Sequence, residues 1–174
     1  MARASLSIEA MNELDRGSFI DRLGSLFEGS PWIAARAWHA RPFTSFEHLH
    51  KSLCEAMNRA SYDEKVGLIR AHPDLVGRAA RAGTLTPDSA SEQASAGLDR
   101  LSAEEIATFE RLNRAYKEKF EFPFVICARE NRKDTILEGF AARLSNSRDG
   151  EIETALREIA RIAYLRLLDV VSQD

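Results

Sequence analysis

The chain has 174 residues, of which 44% are hydrophobic and 29% charged, and its formal net charge is -3. These fractions are ordinary for a globular protein, and the length predicts one domain over residues 1–174 with a buried core. The charges are mixed along the chain and no long apolar run occurs, so we expect neither nucleic-acid binding nor a membrane span.

Apolar residues recur at helical spacing along most of the chain, and the first such stretch is residues 19–27. Gly29 is suited to end that helix, and Pro31 is suited to the first turn of the next one. Residues 46–57 carry another apolar face with the same period. The first third of the chain is therefore predicted to be helical.

Ser61 and Glu64 have the spacing of a capping box, which predicts the start of a further helix. We expect this helix to direct Tyr62 inward and to stop near Ala71. The reason for the stop is Pro73, which disfavours helical geometry in the residue before it.

Ser102 and Glu105 form a second capping-box pattern, which predicts a long helix through residue 120. Pro123 cannot continue that helix, and the short apolar run at 122–127 predicts an extended buried connector or a lone strand. Asp134 is a candidate cap for the next helix, and a last amphipathic helix is expected from about residue 150 to 171. The predicted fold is all-α, with about seven to nine helices.

His72 lies between a predicted helix end and Pro73, where the backbone should be extended. One interpretation is a capping histidine that interacts with the helix dipole. The other is a general acid or base, because imidazole titrates near neutral pH. The residues alone favour neither.

Ser89, Ser91, Glu92 and Gln93 form a dense polar set within residues 87–98. Composition favours an ordinary solvated helix start. The alternative is a polar wall for a small polar substrate.

Arg166 falls within the apolar stripe of the last helix, whereas Arg161 falls on the opposite, wet face with Arg157 and Glu158. A buried arginine needs a partner, because an unpaired buried charge is costly. The partner is either an internal carboxylate or the carboxylate of a ligand.

The segment 122–128 also has two interpretations. It is either a buried connector, with Phe122, Phe124 and Ile126 in the core, or a site element whose non-helical backbone offers N–H and C=O groups to a ligand.

The remaining histidines and the two cysteines form no recognisable site. His48 and His50 are two residues apart, which does not suit a helical metal pair, and we expect them and His39 to have surface or packing roles. Cys54 and Cys127 have neither metal-ligand nor disulfide-framework spacing. We therefore expect no metal site and a cytoplasmic location.

Five segments occur together in an order and spacing that resemble the OHCU decarboxylase family, where OHCU is 2-oxo-4-hydroxy-4-carboxy-5-ureidoimidazoline, an intermediate between urate and allantoin. The resemblance extends from about residue 10 to the end of the chain. The segments are HPDL (72–75), SASEQ (89–93), FPFVICA (122–128), TILEGFAARLSN (135–146) and EIARIAYLRLLD (158–169).

The resemblance implies an all-helical, cofactor-free homodimer that removes CO₂ from OHCU and produces (S)-allantoin. It implies that His72, Glu92 and Arg166 are the catalytic residues. The substrate-binding residues that it implies are Pro73, Ser89, Ala90, Ser91, Glu92, Gln93, Phe124, Val125, Ile126, Cys127, Ala128 and Arg166. The alternative is a non-catalytic helical interaction or regulatory domain, in which Arg166 pairs internally and His72 only caps a helix.

Overall fold

The computed structural model of the protein describes residues 5–173, which are mostly helical. The α-helices in this range are α1 (Ile8–Glu13), α2 (Arg16–Leu23), α3 (Trp32–Ala37), α4 (Phe46–Asn58), α5 (Tyr62–Arg70), α6 (Arg78–Ala82), α7 (Pro87–Ser95), α8 (Ala103–Phe120), α9 (Lys133–Arg143) and α10 (Arg148–Leu168). Short 3₁₀ helices are Gly24–Leu26, Trp38–Ala40 and Ala128–Glu130. Within residues 5–173, β-type pairing is confined to an isolated parallel bridge between Leu6 and Val171. The predicted all-α fold class is confirmed.

The described range holds ten α-helices, more than the seven to nine expected. Three of the ten, α1, α3 and α6, have only five or six residues, which is too short to show a helical period in the sequence. Of these, only α3 was predicted, from Pro31 at its start. Helix α10 begins two residues before the expected start and ends three residues before the expected end. Across the described residues, no helix combines the length and apolar character that crossing a bilayer requires.

Both predicted capping boxes are present. In the first, Ser61 Oγ accepts a hydrogen bond from the Glu64 N–H at 3.2 Å, and Glu64 Oε2 accepts from the Ser61 N–H at 2.9 Å. The Ser102 and Glu105 pair starts α8 in the same way, at 3.2 and 2.8 Å. Helix α5 ends at Arg70, as the proline three residues later predicts.

Asp134 does not cap α9, and Tyr62 does not face the core. The cap of α9 is Arg132, whose N–H donates to Thr135 Oγ1 at 3.0 Å, so that Asp134 lies inside the first turn. Tyr62 is 52% exposed, because it is the first residue of α5 and the face of this helix becomes buried only from Val66 onward.

The chain divides into two compact units. The first unit comprises residues 1–71 and 160–174 and contains α1 to α5 and the end of α10. In it, α3 packs against α2 and α4. Its fully buried side chains are apolar and include Met11, Phe19, Leu23, Ile33, Leu49 and Leu53.

The second unit, His72–Ile159, contains α6 to α9 and the start of α10. Its core is aromatic. Phe124 stacks on Phe140 with ring centroids 3.8 Å apart, and Tyr116 meets the edge of Phe124 at 5.3 Å. The extended segment predicted at 122–127 therefore begins inside this core.

We predict that Glu64→Gln changes how acid affects stability. The hydrogen bond from the Arg36 side chain, and next that from the Ser61 backbone, lowers the pKa of Glu64 from 4.5 to about 2. A carboxyl group whose pKa is lower in the folded state contributes stability above its unfolded pKa, and the contribution is lost as the pH falls through its folded pKa. Urea unfolding should therefore show wild type losing stability relative to Glu64→Gln as the pH falls from about 4.5 toward 2.

The glutamine side chain can still accept the capping hydrogen bond, so the comparison isolates the charge. Glu118→Gln, on the exposed side of α8, is the control variant. An identical pH dependence for wild type and Glu64→Gln would contradict the prediction.

Candidate active site

His72 is the first residue of the second unit and lies in the non-helical connection between α5 and α6. Its side chain is buried, with 8% of its surface exposed, and the following Pro73 is half-buried. The imidazole is therefore largely removed from bulk solvent, and its role as a helix cap or as an acid/base group stays a prediction.

The loop after His72 is fixed by side chains from two helices of the same unit. Gln93 on α7 accepts a hydrogen bond from the Val76 N–H at 3.0 Å and donates to the Asp74 carbonyl at 3.4 Å. Asn113 on α8 donates to the Leu75 carbonyl at 2.7 Å. Val76 is buried and has a φ of 54°, which is uncommon for a β-branched residue. Through these hydrogen bonds, α7 and α8 fix the course of the loop that begins at His72.

Helix α7 divides the predicted polar segment between two faces. Ser89, Glu92 and Gln93 are separated by three and four residues, lie on one face and are buried. Ala90 and Ser91 are exposed on the other face. The structure therefore brings three of the five predicted binding residues to the buried face, and the binding role of all five stays a prediction.

The backbone of 123–127 is non-helical, and the 3₁₀ helix that follows it contacts α7. Phe124, Val125, Cys127 and Ala128 are buried. Ile126, which was expected in the core, is only half-buried. Two of the segments named by the resemblance, 89–93 and 124–128, are thus neighbours within the second unit.

Cys127 is a neutral thiol near neutral pH. Burial, and next the negative charges of Glu130, Glu158 and Glu92, raises the pKa of the Cys127 thiol to about 11. A thiol with so high a pKa is a poor nucleophile. Cys127 therefore contributes to the segment through its backbone, whose N–H donates to Glu158 Oε2 at 2.8 Å.

Arg166 belongs to the first unit and is buried, with 4% of its surface exposed, whereas Arg161 is exposed. The helical period had predicted this difference. Arg166 Nη1 donates to Glu28 Oε2 at 3.0 Å and to the Ser25 carbonyl at 3.2 Å. The internal carboxylate partner is therefore present, and the ligand-anchoring role of Arg166 stays a prediction.

Three side chains that contact the 124–128 segment were not identified from the sequence: Glu158, Arg143 and Asn131, whose Nδ2 donates to the Cys127 carbonyl at 2.9 Å. Glu158 was placed on the wet face of the last helix, but it is half-buried against the Cys127 backbone. Arg143 on α9 donates to the Val125 carbonyl at 2.7 Å. The helical period had grouped Glu158 with Arg157 and Arg161, which are both exposed, and it gave no signal of the contact with Cys127.

Two of the other histidines have hydrogen-bond partners within the first unit. His50 Nε2 lies 3.0 Å from the Ala160 carbonyl oxygen, and the Thr44 N–H donates to His48 Nδ1 at 3.1 Å. His39 is exposed. In the part of the chain that the structure describes, no group of three or more His, Cys, Asp or Glu residues is arranged to hold a metal ion.

Proteins similar to this one match it over most of its length. A model of the OHCU decarboxylase family matches residues 12–168. The 2-oxo-4-hydroxy-4-carboxy-5-ureidoimidazoline decarboxylase of Haloferax volcanii is 41% identical over 97% of this chain and 98% of its own. The protein of the same name from Halalkalicoccus jeotgali is 40% identical over 93% of this chain and 90% of its own. A crystal structure of OHCU decarboxylase in the presence of (S)-allantoin is 25% identical, with a TM-score of 0.64, over 78% of this chain and 87% of its own.

The matches define the protein as a decarboxylase, a carboxy-lyase. The chain belongs to the OHCU decarboxylase family. The sequence resemblance to that family is therefore confirmed.

We predict that Gln93→Met destabilises the protein by about 1–3 kcal/mol, because the buried Val76 N–H loses its acceptor while the side-chain volume is nearly kept. Urea unfolding at neutral pH measures the change. Ser91→Ala, on the exposed face of α7, is the control and should unfold as wild type does. A Gln93→Met midpoint equal to that of the control would show that Gln93 does not fix the loop.

Proposed function

We propose that the protein converts OHCU into (S)-allantoin and CO₂ during urate breakdown, with His72 as the acid/base group. One observation carries this proposal. The buried His72 opens a loop that is hydrogen-bonded to Gln93, and Gln93 lies on the same buried face of α7 as Glu92. This arrangement places a buried imidazole and a buried carboxylate in the same unit, and imidazole is the side chain that most often serves as a general acid or base.

The reaction needs little from the protein beyond positioning and one proton. When the bond from the ring carbon to the carboxylate breaks, CO₂ leaves and the electron pair moves into the adjoining C=N unit of the substrate. A proton is then added to one face of the ring, and this step determines the S configuration. The protein's tasks are therefore orientation, charge placement and directed proton delivery.

The proposed reaction gives one task each to His72, Glu92, Pro73, the 124–128 backbone and Arg166. His72 engages the 4-hydroxyl or the carboxylate of the substrate and moves the proton. Glu92 accepts hydrogen bonds from hydroxyl or ureido N–H groups. Pro73 and the 124–128 backbone position the ring. Arg166 anchors an anionic or carbonyl oxygen, a role that rests on the family resemblance alone.

The family resemblance also supports three further parts of the proposal: a homodimer, a cytoplasmic location and a reaction without a cofactor. Size-exclusion chromatography with light scattering measures the oligomeric state directly. A monomer at micromolar concentration would contradict the dimer without affecting the proposed reaction.

The proposed function is tested with freshly generated OHCU. Circular dichroism should show (S)-allantoin forming faster than in the spontaneous decay, and CO₂ should be released in equal amount. A racemic product at the spontaneous rate would overturn the proposal and favour the non-catalytic helical domain.

We predict that His72→Ala lowers kcat by about 10²–10⁴-fold, because the general acid/base is lost. Stopped-flow absorbance with fresh OHCU measures the rate, and far-ultraviolet circular dichroism checks the fold. His39→Ala removes an exposed histidine and should retain full activity. Near-normal turnover by His72→Ala would remove His72 from catalysis.

We predict that Glu92→Ala raises KM and lowers kcat together, because a buried carboxylate that binds the substrate also orients it in the transition state. Steady-state kinetics with OHCU separates the two parameters. Asp88→Ala, which removes an exposed carboxylate from the first turn of α7, is the matched control. Wild-type kinetics for Glu92→Ala would show that Glu92 does not contact the substrate.

A further inference from the structure

Two consecutive peptide groups around Ile126 are each bound at one end by a charged side chain. The Val125 carbonyl accepts a hydrogen bond from Arg143 Nη1 at 2.7 Å. The Cys127 N–H donates to Glu158 Oε2 at 2.8 Å. Both side chains lie in segments of the family resemblance, and the proposed mechanism gives neither side chain a role.

A trans peptide group is planar, and its N–H and C=O point in opposite directions. Arg143 binds the carbonyl end of the first peptide, so the N–H of Ile126 points away from Arg143. Glu158 binds the N–H end of the second peptide, so the carbonyl of Ile126 points away from Glu158. Within residues 5–173, neither of these two groups of Ile126 forms a hydrogen bond.

The flanking Val125 carbonyl and Cys127 N–H belong to buried residues and are paired, as most buried backbone polar groups are. Ile126 is half-buried, so its N–H and C=O are available to a ligand. The N–H donor and the C=O acceptor of Ile126 together match the edge of an amide or urea ligand, in which an N–H group neighbours a C=O group.

Arg143 is itself held in place. Its Nε donates to Glu151 Oε1 at 2.5 Å, and its guanidinium lies over the Phe124 ring, 4.2 Å from the centroid. Glu151 is fully buried and also accepts hydrogen bonds from Tyr116 and Asn146. The carbonyl of Val125 is therefore bound by a side chain with little freedom to move.

We propose that Arg143 and Glu158 are positioning residues that orient the N–H and C=O of Ile126 toward the ureido or ring-amide edge of the substrate. The inference rests on the proposed function. In it, Arg143 and Glu158 act through the backbone and do not touch the substrate. Arg143 acts from α9 and Glu158 from α10, and both helices follow Ile126 in the sequence.

Glu158 is the better residue to vary, because removing Arg143 would leave the buried Glu151 without its cation. Glu158→Ala should raise KM for OHCU about tenfold, because a misplaced hydrogen-bonding pair binds the substrate less tightly. It should change kcat by less than about twofold. Glu158→Gln keeps an acceptor for the Cys127 N–H and should restore a KM near that of wild type. Glu153→Ala, an exposed residue of α10, is the matched control.

Three kinetic results would overturn the proposal: an unchanged KM in Glu158→Ala, an equal rise in the control, or no rescue by glutamine. If Glu158→Ala does not fold, Glu158→Asp replaces it. Aspartate keeps the charge but is one methylene shorter, so it should also raise KM.

A second measurement does not depend on turnover. In ¹⁵N NMR spectra, the Cys127 amide should exchange with solvent at least about tenfold faster in Glu158→Ala than in wild type, because it loses its acceptor. Titration with (S)-allantoin should shift the Ile126 amide in wild type, and the shift should weaken in Glu158→Ala. An Ile126 amide that does not respond to (S)-allantoin would overturn the positioning role even if wild type converts OHCU. A normal response in a protein that does not convert OHCU would overturn the proposed function alone.

Discussion

The second unit depends on one fully buried carboxylate, that of Glu151. It accepts hydrogen bonds from Tyr116 on α8, from Arg143 on α9 and from Asn146 in the turn before α10. A buried charge is tolerated only when it is paired and its remaining lone pairs are used, and removal of one partner typically costs about 3–5 kcal/mol. Glu151 therefore determines where three helices meet, and through Arg143 it determines the course of the segment at Val125.

The irregular backbone of this unit is held by side chains rather than by regular hydrogen-bond ladders. Gln93 and Asn113 bind the loop after His72, and Arg143 and Glu158 bind the segment around Ile126. Helices satisfy their own backbone groups, whereas a non-helical stretch leaves its groups available. An all-helical enzyme that recognises a ligand by its backbone needs such stretches, and it needs rigid side chains to orient them.

Features that depend on nearby residues were predictable. Both capping boxes and the end of α5 follow from contacts within four residues, and they are present as predicted. The burial of Arg166 follows from helical period alone. The prediction that Asp134 caps α9 was wrong. The choice among Arg132, Asp134 and Thr135 depends on where the preceding segment ends, and the sequence pattern does not specify this point.

The sequence by itself determined the helical class, the helix starts marked by capping boxes and the family, because periodicity, capping and ordered motifs are local or linear properties. Only the tertiary structure decided which side chains bind the irregular backbone. Glu158 and Glu153 lie on the same helix and look alike in the sequence, yet only Glu158 meets the Cys127 N–H. That contact joins residues 31 positions apart, and its existence depends on how the 123–127 segment packs against α10.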